Sequence, residues 1–459
     1  RWLSDWSSDV CSSDLVKHAS IDSVPVLEHD LFTNGIAYVD LAFDIAHIPE
    51  DLQLYLPLLG KMMSGMGAAG LTYDEMAKRI ALYMGGFGYD LTTGFTVAAD
   101  DTWQKMIFSF KALYRNLPQA IQAVCDILCA GDLDQEARMR DLLAERKNNL
   151  QSSIVPSGHV FAKRAAGAGL TLPAYRDEQW HGRTQLRFVQ NQSGQFQASK
   201  DVLREKLQQL KTMIFAKSNL MINLTADEAG LKLSYDYLAG LLRKLPQGAP
   251  AGRPEAPVLS PVQAGIAVPT QVSYVARAMK APAYTDPSAA ILMLSSREMS
   301  NSYLYKHIRV QGGAYGGMSS FDTSLGVFAF LSYRDPHIAE TLQVFEDAQE
   351  FYSREELAAD DMEKAIISTL GSLDKPLDPS GRGYVSMIRH FAGATDGMRQ
   401  AFRDQIFAAT PRKVKDVLAQ FFEKASADKA VAVYSAQEKL EEANKQLTDK
   451  LSLEKLADA

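Results

Sequence analysis

Cysteine is scarce: three residues in a chain of 459. So thin a supply excludes a disulfide-scaffolded secreted domain, which needs a denser set. Long hydrophobic runs are missing too. No stretch reaches the roughly 18 consecutive apolar residues that a membrane-spanning helix needs, so no membrane partner is expected. Charge of one sign is lacking as well. The chain sets 48 Lys+Arg against 55 Asp+Glu, a net charge of -7 that is scattered rather than clustered. That pattern argues against a nucleic-acid partner, whose footprint is a basic patch.

The familiar catalytic spacings are also absent. There is no H-E-x-x-H and no inverted H-x-x-E-H. His47-Ile48-Pro49-Glu50-Asp51 and His337-Ile338-Ala339-Glu340-Thr341 come near, but each lacks the second histidine. Pro49 also prevents the regular helical turn on which such ligands converge. His18, His29, His159, His181, His307 and His390 are isolated, so no metal is expected to be bound by this chain. There is no G-x-S-x-G elbow for an acyl-transfer serine. Gly312-Gly313-Ala314-Tyr315-Gly316-Gly317 lacks the Lys-Ser/Thr of a phosphate loop and closes a helix instead of opening one. It reads as a helix C-cap whose glycines permit close backbone approach. Cys125 and Cys129, four apart in an apolar helical stretch, read as two reduced core thiols on one face. The third, Cys11, falls in the odd N-terminal segment described next. Met62, Met63 and Met66 read as adaptable core.

What is present is an ordinary globular balance, 46% apolar and 22% charged, long enough for two to four domains. Residues 1–15 stand apart. They have no signal-peptide character, and Ser4 to Leu15 resembles the translation of a common short-read sequencing adapter. They are set aside as an artefact, with the expectation that the natural N-terminus is missing and that this is the C-terminal part of a longer protein. A linker follows at 246–257, where four prolines and two glycines forbid a helix or a central strand. It separates a block over 16–245 from one over 258–459. Alternation predicts a strand over 37–45 in the first and over 266–276 in the second. Helices follow at 51–66 and 288–309, and a T-x-x-E capping box at Thr72 and Glu75 starts a further helix that Gly85-Gly86 breaks. Paired strands come next, near 87–98 and 102–112, then 314–322 and 327–334. Helices run over 116–130, 135–153 and 198–211, then 338–352, 354–373, 395–408 and 411–424. Each block closes with a strand, 218–224 or 430–434, and a helix. The tail over 437–459, with Glu and Lys interleaved, reads as a solvated helix. The fold class is α+β, with one pattern used twice, each time a mostly antiparallel sheet with helices on one side.

The most unusual stretch runs from Ser302 to Gly317. An apolar helix ends with Arg309, and Tyr315 stands six residues on among glycines. A guanidinium offers a rigid donor fork for a carbonyl or carboxylate, and a phenol offers a hydroxyl donor. Together they are the equipment of a peptide clamp or an oxyanion stabiliser.

At Arg309-Val310-Gln311-Gly312-Gly313-Ala314-Tyr315-Gly316-Gly317 and Ser332-Tyr333-Arg334-Asp335-Pro336, the chain resembles the zinc metallopeptidases of the pitrilysin/insulinase class, in their presequence protease branch. Asn34 to Tyr38 and Leu54 to Leu59 are supporting matches, and the likeness extends over almost all of 16–459. The resemblance implies the third and fourth α+β domains of a four-domain enzyme whose halves close around a chamber. It implies that zinc and the general-base glutamate belong to a missing N-terminal half. Here the corresponding helix reads Leu56-Pro57-Leu58-Leu59-Gly60, a repeat without its metal site. It implies that Arg309 holds the substrate backbone and that Tyr315 binds substrate and stabilises the oxyanion, in trans to the zinc. The partners are then an N-terminal catalytic half of the same protein and short unfolded peptides, and this chain alone is expected to be inactive. A metal-free subunit of a two-chain peptidase and a peptide-binding scaffold are the alternatives. The cytoplasm is the default compartment.

Overall fold

The computed structural model describes residues 16–249, 252–425 and 429–456. The adapter-like segment over 1–15 lies outside them. The first block opens with two short strands that alternation does not reveal, β1 (Val16–Ile21) and β2 (Val24–Asp30), turned at Asp22 and Ser23 with φ of 47° and 66°. Pro25 within β2 masks it, since proline withdraws a ladder donor. The strand expected over 37–45 follows as β3 (Ile36–Asp44). A 3-10 turn (Glu50–Tyr55) leads into α1 (Leu56–Gly65), so the expected single helix begins as a tighter one. In α2 (Tyr73–Tyr83) the capping box is complete. Thr72 Oγ1 accepts from the Glu75 amide, and the Thr72 amide donates to Glu75 Oε2 at 2.8 Å. The block continues with β4 (Phe87–Phe95), β5 (Thr102–Leu113), α3 (Leu117–Ala130) and α4 (Glu136–Ile154). Three helices with no clear sequence signal follow: α5 (Gly158–Gly167), α6 (Leu172–His181) and α7 (Arg183–Gly194). It ends with α8 (Phe196–Ile214), β6 (Leu220–Ala226) and α9 (Glu228–Lys244).

In the second block the strand expected over 266–276 is two strands, β7 (Gln263–Ala267) and β8 (Tyr274–Lys280), because Pro269 interrupts it. Helix α10 (Ala289–Asn301) precedes a π-helix (Tyr305–Gln311), then come β9 (Gly316–Asp322) and β10 (Val327–Tyr333). The helices are α11 (Ala339–Arg354), α12 (Ala359–Leu373), α13 (Pro379–Ala392), α14 (Asp396–Phe407) and α15 (Pro411–Ala425). The chain then forms β11 (Ala430–Ser435), α16 (Gln437–Gln446) and β12 (Ser452–Lys455). The tail is therefore not one solvated helix. Its last strand joins the sheet, and Glu454 pairs with Arg183 and Arg187 of the first block.

The two six-stranded sheets run β1-β2-β6-β3-β5-β4 and β12-β7-β11-β8-β10-β9. All pairings are antiparallel except β2 with β6, and β7 with β11 and β12. Each sheet carries its own block's helices on one face. Val39, Leu41, Phe43, Phe108 and Leu224 face α1, α3 and α9, and Val275, Met279, Phe328, Phe330 and Val433 face α10, α11 and α15. The opposite face of each sheet is covered by a helix from the other block. Helix α5 packs on β8, β10 and β11, where Phe161 meets Tyr434, and a Cβ on Gly158 would fall 2.4 Å from Tyr274 Cδ2. Reciprocally, α13 lies on β2 and β6, with Met387 beside Leu27, Ala42 and Ile107. The methionines at 62, 63 and 66 are core. Of the two thiols, Cys125 is buried, but Cys129 is exposed, because the last turn of α3 runs past the edge of the core. Among the described residues no helix is long and apolar enough to cross a membrane.

Candidate functional site

The segment that carries Arg309 is a helix with its register broken. Helix α10 stops at Asn301, and Ser302 takes φ -120° and ψ -84°. The Ser302 side chain bonds Glu298 and Tyr352, and burial pushes the Glu298 carboxyl above the usual carboxylate range. From Tyr305 the chain winds as a π-helix, a wider turn that recurs at functional sites because it displaces side chains from the α register. Leu304 and Ile308 point into the core while Arg309 and Val310 point out. The glycines behave as expected. Gly313 adopts φ +76°, and a Cβ on Gly317 would collide with Ile308 Cβ at 2.7 Å and the Leu304 carbonyl at 2.8 Å. This close approach seats the start of β9 against the π-helix. The Tyr315 amide donates to the Tyr333 carbonyl at 3.0 Å, which fixes Tyr315 at the open end of the β9–β10 hairpin.

The two expected residues meet. The Arg309 guanidinium lies 5.4 Å from the Tyr305 ring centre and 5.5 Å from that of Tyr315, held between two π-faces. Tyr315 is 64% exposed and Tyr305 46% exposed, so neither is sealed within its domain. Among the described residues no carboxylate pairs with Arg309, and nothing bonds the Tyr315 hydroxyl. The row continues beyond the expected pair. Tyr315 meets Tyr333 edge-on at 5.8 Å, and the Arg334 guanidinium lies 5.4 Å over the Tyr333 ring. His159, at the start of α5, closes on the same ring at 4.8 Å. Burial lowers the His159 pKa, which keeps the imidazole neutral near pH 7.

Arg334 is held in a left-handed conformation, φ +50°, that a non-glycine residue adopts at a cost. The next residue explains how. Asp335 is buried, accepts from the His337 amide at 3.0 Å and from Thr341 Oγ1 at 2.8 Å, and exchanges backbone hydrogen bonds with Ser273. Its carboxyl is raised above the usual range by burial. Tyr305, Tyr333, Arg334 and His159 were not singled out by the sequence. Tyr333 and Arg334 stand inside the Ser332-Tyr333-Arg334-Asp335-Pro336 motif, and Tyr305 within the unusual stretch. His159 carries no signal, because the other block delivers it. A concavity of about 420 Å³ is lined by Arg277, Glu346 and Lys429, and not by Arg309 or Tyr315.

The first block offers no metal site at the corresponding helix. Leu56 and Leu59 of α1 are fully buried, and Gly60 abuts Tyr89, whose ring carbons lie 2.1–2.6 Å from where a Cβ would stand. The Tyr89 hydroxyl donates to the Pro57 carbonyl at 2.8 Å and pins the ring there. Where a ligand set would point, the chain has packed an aromatic plug. No group of three or more His, Cys, Asp or Glu among the described residues is arranged to hold a metal, so these residues do not fit one.

Two family profiles match the chain: the associated domain of peptidase family M16, subfamily C, over residues 3–191, and the "PreP C-terminal domain" over 263–436. The first begins inside the segment set aside as adapter-like. Presequence protease 1, chloroplastic/mitochondrial, of Arabidopsis thaliana is 29% identical over 422 residues, covering 91% of this chain and 39% of its own length. The mitochondrial presequence protease of Danio rerio is 29% identical over 435 residues, covering 88% and 42%. The chain thus spans about two fifths of the length of these relatives. In three dimensions it is similar to a peptidase M16 inactive domain from Pseudomonas fluorescens (TM-score 0.65, 16% identity, 92% of this chain and 98% of that one). It is similar also to a protease from Helicobacter pylori (TM-score 0.68, 13% identity, 92% and 99%). Profiles on both blocks, relatives matched along most of the chain, and a shared duplicated fold agree: the chain belongs to the presequence protease-like peptidases of the pitrilysin/insulinase class, as their C-terminal half.

Proposed function

We propose that this chain is the substrate-holding, metal-free half of a zinc endopeptidase that degrades short unfolded peptides in a closed chamber. The N-terminal half of the same protein provides the metal, which no residues described here are arranged to hold. Arg309 grips the backbone of an extended peptide with its donor fork. Tyr315 donates its hydroxyl to the oxyanion that forms when the scissile carbonyl becomes tetrahedral, a role worth about 10²–10³ in rate for one donor. The observation that carries this reading is the Arg309 guanidinium held between the Tyr305 and Tyr315 rings. A side chain fixed by π-faces and not by a carboxylate keeps its donors for a ligand, and pre-organisation lowers the entropy lost on binding. The expected cytoplasmic location gains no support from the Arabidopsis thaliana and Danio rerio relatives, which are named for mitochondria and chloroplasts.

The test combines this chain with its separately produced catalytic half and follows cleavage of a labelled unstructured peptide. Tyr315→Phe is expected to lower kcat about a hundredfold or more with KM little changed, and Arg309→Ala to raise KM. Undiminished cleavage by both variants refutes the assignment.

A further inference from the structure

Arg309 is not the last cation in the row. Arg334 lies over the ring of Tyr333, which meets Tyr315 edge-on, so two guanidinium groups bracket a tyrosine pair. Both arginines are exposed, and no carboxylate pairs with either among the described residues. The Arg334 side chain also reaches the Tyr274 hydroxyl, a neutral partner that leaves its charge uncompensated. Other arginines around the sheets are neutralised: Arg277 by Glu346, Arg183 and Arg187 by Glu454, Arg164 by Asp177. A guanidinium held in place on a ring, with no carboxylate of its own, has donors to spare for an external anion.

The local backbone is built for this placement. Arg334 sits at φ +50°, where glycine or asparagine fits with less strain, and its conformation is enforced by the buried, multiply bonded Asp335. Strain of this kind persists only where the surroundings over-determine it, and it clusters at ligand clamps. The same turn accepts the Tyr315 amide on its Tyr333 and Arg334 carbonyls at 3.0 and 3.3 Å, so the two cationic positions share one scaffold. His159 stays neutral and adds no competing charge to the cluster.

We propose that Arg334 is a second substrate-binding residue, which takes a carboxylate of the bound peptide while Arg309 holds its backbone. This rests on the reading of Arg309 and Tyr315 as a peptide grip. The carboxylate has two sources, an acidic side chain or the peptide's own C-terminus, and both present the same planar pair of oxygens to a guanidinium fork.

The experiment measures binding of labelled peptides to this chain by fluorescence anisotropy. Three peptides of one uncharged extended sequence are compared: C-terminal amide, free C-terminal carboxylate, and amide with one internal Glu. At least one carboxylate peptide is expected to bind about tenfold tighter than the plain amide, the scale of a charge-assisted hydrogen bond. Whichever of the two gains identifies the source. Arg334→Asn, which tolerates the left-handed backbone, is expected to erase the difference, and Arg334→Lys to restore part of it. Arg309→Ala is expected to weaken all three peptides alike. Equal binding of the three peptides, or a preference that survives Arg334→Asn, overturns the role of Arg334 and leaves the grip intact. Binding of none, or binding indifferent to Arg309→Ala, removes the grip itself and this inference with it.

Discussion

Gly60→Ala tests whether the Tyr89 ring plugs the space beside α1. An ideal Cβ at Gly60 falls 2.1 Å from Tyr89 Cδ2, 2.3 Å from Cε2 and 2.6 Å from Cγ, where real Cβ atoms essentially never come under 3.0 Å. The ring must retreat by most of an ångström. It is not free to do so, because its hydroxyl is bonded to Pro57 on the same helix that pushes it away, and Phe108 stands beside it. Overpacking of this kind costs about 1–3 kcal/mol. Losing the hydroxyl bond adds about 1 kcal/mol. Alanine in place of glycine in a helix returns about 1 kcal/mol. The net expectation is a loss of about 1–3 kcal/mol, read as a lower urea midpoint by circular dichroism at constant slope. In a Tyr89→Ala background the same change meets empty space and should be neutral or stabilising by about 1 kcal/mol, so the cycle should show a coupling between the two sites. If Gly60→Ala is harmless on its own, or equally costly without the ring, the plug argument fails. A histidine at 60 is larger still, so placing His at 56 and 60 and Glu at 59 is not expected to create a zinc site while Tyr89 remains.

Two further expectations follow from charges away from the candidate site. His181 is held below its usual pKa chiefly by burial, while its Nε2–H donates to the Leu91 carbonyl at 2.9 Å. The unfolded chain takes up a proton below about pH 6.5 that the folded state resists, so stability should be full above that pH and fall as the solution is acidified; His181→Gln should flatten the fall, and an unchanged pH profile of urea midpoints would count against it. Glu454→Gln removes the carboxylate shared by Arg183 and Arg187 and should cost about 1–3 kcal/mol, with loss of hydrogen-exchange protection over 452–455; unchanged protection would mean that pairing with β7 alone holds the strand.

Strong local signals made most of the fold legible. The alternation of β3, the capping box at Thr72 and Glu75, and the paired strands before each run of helices all stand near their expected positions. The elements not anticipated carry mixed signals. Pro25 disguised β2, Pro269 split a strand in two, and β12 hid in a charged tail because only four residues of it pair. The candidate site was legible where chemistry is local in sequence: Arg309 and Tyr315 flank a glycine cluster that has to be a tight turn. The rest was not, because ring contacts such as Tyr333 with His159 join residues from different blocks, and single-sequence patterns carry no information about pairs so far apart.

The exchange of helices explains why that cross-block contact exists. A sheet that covers one face with its own helices still has a second face to bury, and Tyr274, Ala276, Leu331 and Tyr434 are as buried there as the residues on the helix side. In each half of the duplicated pattern, the helix after the two that follow the paired strands is sent across: α5 to the second sheet, α13 to the first. The trade places the start of α5, with His159, beside the hairpin end that bears Tyr315, Tyr333 and Arg334. The seam between the blocks therefore sets the position of the proposed substrate grip, which would belong to the pair of blocks together. The first block keeps a role on this argument: its helix supports the face on which the second block presents its arginines.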